Sequence, residues 1–90
     1  MPNGKGGTIT SGQLATSGTA TQLVANRPSR IQLIITNNNT TATFFVGGSS
    51  SVTATNGHVV LSSGTLILDS YTGPVFVISA GTPTATYLEY

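Results

Sequence analysis

The clearest pattern along the chain is a pair of apolar runs, Ile31-Gln32-Leu33-Ile34-Ile35 and Ala42-Thr43-Phe44-Phe45-Val46, separated by an Asn- and Thr-rich connection. β-Branched and aromatic residues fit strands, and Asn side chains favour turn conformations, so Arg30 to Gly48 predicts a β-hairpin. Both runs are apolar at both parities: Ile31, Leu33 and Ile35 point one way and Ile34 the other, and Phe44 and Val46 oppose Phe45. A strand with one wet face would alternate more cleanly. The pair is therefore expected in the middle of a sandwich, or against a partner subunit on its second side, with Phe44, Phe45 and Phe76 in the core.

The rest of the pattern is also β. Thr8-Ile9-Thr10 and Gln13-Leu14-Ala15 read as strands broken at Ser11-Gly12, and Thr19 to Val24 as another. Pro28 lacks an N–H for a ladder and ends that strand. Gly47 to Gly57 reads as a flexible loop holding at most one short edge strand at Ser51 to Ala54. Asn56-Gly57 is the strongest two-residue turn signal. A second hairpin is expected from His58–Leu61 and Thr65–Leu68, joined by Ser62-Ser63-Gly64 with Gly64 in the left-handed position. Asp69 to Pro74 is a turn, Val75 to Ala80 is apolar on both faces, and Thr84 to Tyr90 closes as a terminal strand. No window carries an apolar stripe at helical spacing. The expectation is an all-β chain: a single antiparallel β-sandwich or jelly-roll-like domain of about seven to nine short strands over residues 8–90. A Gly-rich flexible N-terminal arm at residues 1–7 precedes it.

Composition changes this picture in one respect. Charged residues make up only 6% of the 90-residue chain, namely Lys5, Arg27, Arg30, Asp69 and Glu89, and the formal net charge is +1. Little self-repulsion keeps molecules apart, which favours an oligomer or a subunit of something larger. Nucleic acid is not an expected partner, because phosphate binding needs a Lys/Arg cluster and only Arg27 and Arg30 lie close together. Without cysteine there is neither a disulfide framework nor a thiolate metal site. No signal peptide follows Met1, and no apolar run approaches the length of a membrane span, so a cytoplasmic origin and no membrane contact are expected.

Candidate chemistry is sparse. One His and two carboxylates leave little for a metal site or a paired-carboxylate mechanism, and no cofactor or metal is expected. A regular hairpin at Ser62-Ser63-Gly64 would set His58 across from Leu68 and near Asp69, but no nucleophile elbow or oxyanion hole accompanies them. The expectation is no catalytic residue and no enzyme. Gly47-Gly48-Ser49-Ser50-Ser51 lacks the Lys and helix of a phosphate loop. The Thr-Ala-Thr triplets at Thr19, Thr41, Thr53 and Thr84 are irregularly spaced, so they reflect water-compatible strands rather than a repeat. Tyr71 stands beside Gly73-Pro74, where its ring can cap a sandwich, while Tyr87 and Tyr90 lie on the terminal strand, where amphipathic rings suit an interface.

A resemblance adds to this reading. The succession Gln22 to Arg30, Leu33 to Asn38, Phe45-Val46-Gly47, Leu66 to Asp69, Tyr71 to Gly81 and Thr84 to Glu89 is similar to a class of small virion proteins of tailed bacteriophages, over about residues 20 to 90. The features in common are an Asn-Pro-Ser-Arg-like lead, here with Arg27 between Asn26 and Pro28, into an apolar strand ending in Asn-Asn, an Asp-x-Tyr-Thr-Gly turn, and a Ser-Ala-Gly turn before a final strand. The resemblance implies a capsid decoration, or cement, protein that binds the outer surface of a phage head and stabilises the shell. The alternative is a head-fibre or tail component with a receptor- or glycan-binding role. It further implies the major capsid protein as partner, self-association as a homotrimer, and a place on the virion capsid surface after synthesis in the host bacterial cytoplasm. Lys5, Arg27, Arg30, Tyr87 and Tyr90 are the candidate interface residues, with the N-terminal arm and the Gly47 to Gly57 loop the expected contacts to the capsid.

Overall fold

The computed structural model of the chain describes residues 8–90, so Lys5 and the expected arm lie outside the described residues. Eight strands follow in order: β1 (Thr10–Ala15), β2 (Thr21–Val24), β3 (Gln32–Asn37), β4 (Phe44–Gly47), β5 (His58–Val60), β6 (Thr65–Asp69), β7 (Val75–Ile78) and β8 (Thr84–Glu89). They form two antiparallel sheets of four, β1-β8-β3-β6 and β2-β7-β4-β5, and the two pack as a β-sandwich. No helix occurs among the described residues, and none there could cross a membrane.

The pairs β1–β8, β2–β7, β3–β6 and β4–β5 nest inside one another. The chain is thus a long ribbon folded double at the β4–β5 connection and then rolled, with β3–β8 and β4–β7 completing the sheets. Alternation along each strand fills the space between the sheets. Leu33, Ile35, Phe44 and Val77 are fully buried, and Leu23, Val24, Val46, Val60, Val75 and Ala85 complete the cluster.

Two expected hairpins do not form. The runs around Leu33 and Phe44 become β3 and β4, each central in its own sheet, and they face each other across the core instead of pairing. The Asn residues explain the crossing. Asn37 is buried, its Nδ2 donating to Ala42 O at 2.8 Å and Val60 O at 3.2 Å, while its Oδ1 accepts from Asn39 N. Asn39 Oδ1 in turn accepts from the backbone of Thr41 and Ala42. Side chains therefore satisfy backbone groups that a ladder would have used, and the chain passes from one sheet to the other. The turn after β5 also crosses sheets: Ser63 N donates to Asn39 O and Asn37 N to Gly64 O, and Ser63, not Gly64, holds the positive φ of 60°.

Two smaller expectations are corrected, and a third, a loop with at most one short strand at Ser51 to Ala54, resolves to the loop alone. β1 runs unbroken through Ser11-Gly12, because Gly12 makes room for a ring rather than a turn: a Cβ there would lie 2.8 Å from Tyr87 Oη. Ser51 to Ala54 forms no strand but part of a hydrogen-bonded loop. Phe45 and Phe76 are half-buried on the outer face of the second sheet, since their register sets them opposite Val59 and Gln22 while Phe44 turns inward.

Candidate functional site

The charged residues gather at one end of the sandwich. Pro28 and the turn closed by Arg30 N to Arg27 O bring Arg30 back beneath the sheets, where its side chain is fully buried. Glu89 sits on β8 opposite Leu33, an inward position, and accepts from Arg30 Nε at 2.7 Å. The planar guanidinium fork spreads its remaining donors over three carbonyls: Nη1 to Tyr71 O and Gly73 O, and Nη2 to Ala25 O. Arg27 donates from Nη2 to Thr8 O, while its buried Nη1 approaches the same carboxylate at 3.8 Å without a hydrogen bond. The two arginines thus clamp the β2–β3 connection, the β6–β7 turn and β8 together.

Beside this clamp the sheets part along their β5 and β6 edges. The opening is an apolar cleft of about 350 Å³ walled by Val46, Val75, Leu66, Leu68 and the Tyr71 ring, with His58 at its mouth. Register accounts for it. Leu66 and Leu68 stand opposite the fully buried Ile35 and Leu33, yet they are only half-covered because β6 is an edge strand. His58 likewise stands opposite the inward Val46 but is exposed. Gly47 and Gly48 put no side chain into the gap. Tyr71 Oη is held by Pro74 O at 2.7 Å, so the ring is a fixed wall.

The cleft does not assemble acid–base chemistry. Asp69 turns to the outer face of its sheet and takes the Gln32 amide at 2.6 Å, whereas His58 belongs to the opposite sheet, so the crossing that replaces the expected hairpin also separates these two side chains. Among the described residues no three His, Asp or Glu side chains converge as metal ligands would.

The outer faces carry the remaining apolar surface. On the first sheet, pairing aligns Leu88, Ile34 and Ile67 across three strands, with Ile67 54% exposed. A polar row of Gln13, Thr86, Thr36 and Thr65 runs beside it. On the second sheet, Ile78, Phe45 and Val59 align in the same way. There the chain partly covers itself: the 48–57 loop, braced by Asn56 and Thr53, lays the buried Val52 over Gly47, where a Cβ would come within 2.7 Å of it.

Of the candidate interface residues, Arg27 and Arg30 are spent on the internal clamp, and Tyr87 turns inward across Gly12 to pack on the core. Tyr90 stays half-buried on the outer side, its Oη donating to Gln32 Oε1 at 2.7 Å. The row Leu88, Ile34, Ile67 is the surface that residue-by-residue reading misses. Its only signal is the apolar parity left over once Leu33, Ile35 and Ala85 are assigned inward. Comparison with protein-family models, with curated proteins and with solved structures gave no match.

Proposed function

We propose that this chain is a structural virion protein, a capsid decoration protein that binds the outer surface of a phage head and stiffens the shell. The observation that carries the reading is a surface built to be covered. Arg27, Arg30 and Glu89 engage one another at one end, with Glu89 pointing inward, so Asp69 is the one charged residue on the outer face of either sheet among the described residues, and both outer faces present aligned apolar side chains. Repetition of such a contact around a shell multiplies weak individual binding, and a single stable contact needs about 800 Å² per partner. The nested strand order supports reading the sandwich as a jelly roll, an architecture that viral capsid domains use. The Arg30–Glu89 clamp supports it further, since a cement protein must transmit load without opening its own sheets.

The test is co-sedimentation of the full chain with undecorated phage heads, together with the thermal stability of the heads. Saturable binding with raised head stability is the expected result. A stable, folded protein that leaves heads undecorated at micromolar concentration overturns the reading and moves the assignment to a tail or head-fibre component.

A further inference from the structure

Each sheet ends in two edge strands, and three of these four edges are blunted. β5 is only three residues long, β2 has four residues and a register shift between Gln22 and Val24, and β6 ends in the charge of Asp69. Short strands, irregularities and charges are the devices by which proteins keep an edge from recruiting another strand. β1 has none of them. Its six residues keep one register with β8 from Thr10↔Glu89 to Ala15↔Thr84, with no charge and no proline.

The hydrogen bonds fix which groups of β1 are free. Tyr90 and Gln32 exchange both backbone bonds at 3.1 Å, and Asn38 N donates to Thr84 O, so the even-numbered residues of β8 serve β3. The odd-numbered Ala85, Tyr87 and Glu89 therefore serve β1 through Leu14, Gly12 and Thr10. Thr16 N to Pro83 O continues the same alternation. It follows that the N–H and C=O groups of Ser11, Gln13 and Ala15 point away from the sheet, and among the described residues no strand lies beside them.

We propose that β1 is the pairing edge for a second copy of this chain, joining two first sheets into one continuous sheet. The edge is self-complementary. Opposed residues of an antiparallel pair share a face, so a two-fold contact must pair residues of equal parity. The register centred on Gln13 sets Gln13 against its own copy and Ser11 against Ala15, and it uses every outward-pointing residue of the strand. The two Gln13 carboxamides each donate and accept, and can bond one another beside Thr86 on the outer face. A formal net charge of +1 offers little repulsion to such an encounter. The proposal is independent of the capsid reading, and its two-fold contact differs from the homotrimer that the phage resemblance implies.

Sedimentation of the full chain from micromolar to millimolar concentration, with amide exchange followed residue by residue, tests it. The expected particle has the mass of two chains. Exchange at Ser11, Gln13 and Ala15 slows as concentration rises, whereas Thr10, Gly12 and Leu14 are protected throughout. Gln13→Pro removes an outward N–H, leaves the β8 ladder intact, and weakens association by more than about tenfold. A mass of three chains, a single chain at millimolar concentration, or exchange at the three outward amides that ignores concentration each overturns the proposal. The exchange measurement decides the matter on the unmodified protein even where the proline variant fails to fold.

Discussion

Two neighbouring regions meet at Tyr71 and are built on opposite terms. Its carbonyl accepts from Arg30 in the clamp, while its ring walls the cleft between β5 and β6. In the clamp, a buried charge and three carbonyls are matched to one guanidinium, so no part can leave without stranding the others. In the cleft, Leu66 and Leu68 pack against the core yet stay only half-covered, and His58 is exposed. The lesson is that burial alone does not rank positions in this sandwich; completeness of the partner set does.

Substitutions can break or sharpen that contrast. Arg30→Met leaves Glu89 and the carbonyls of Ala25, Tyr71 and Gly73 without their donor, and the expected loss is about 3–5 kcal/mol of stability, read from the urea midpoint. An unchanged midpoint would show that the clamp adds nothing. Next in size is a matched pair on neighbouring strands of the first sheet: Leu33→Ala, at a fully buried site, is expected to cost about 2–5 kcal/mol, and Leu66→Ala, on the cleft wall, about 1–2 kcal/mol. Equal losses would mean that the cleft closes in solution. The smallest effect is expected from His58→Leu, which adds apolar surface at the mouth and shifts stability by less than about 1 kcal/mol, upward if the new side chain reaches Leu68. A large drop in melting temperature would assign His58 a structural partner across the gap.

The placement of strands was legible in the residue pattern; their partners were not. The runs at Leu33–Ile35, Phe44–Val46, Leu66–Leu68, Val75–Ile78 and Thr84–Leu88 are all strands. A period of two assigns faces within a strand but says nothing of the neighbour, and runs apolar at both parities fit any central position. Asn37 to Thr41 carries the chemistry of a reversal, yet its side-chain bonds direct a crossing between sheets. Gly12 carries the chemistry of a turn, and only the position of Tyr87 on β8 shows why a strand needs a glycine there. Arg30 reads as a surface charge because its counter-ion, Glu89, is 59 residues away in sequence. The cleft follows from β5 and β6 being edges of different sheets, a property of topology rather than of His58 or Leu66.

The nested ribbon also sets an order of events in time. β8 lies between β1 and β3, so the first sheet has no centre until the chain has been made through Glu89, and Arg30 has no counter-charge before then. With the earliest strand waiting for the latest, nearly all native pairing closes long loops, the arrangement that places all-β domains in the millisecond-to-second range of folding times. During that wait β1 has both edges unpaired, and the absence of charge and proline that suits it to meet its own copy leaves it equally open to premature encounters.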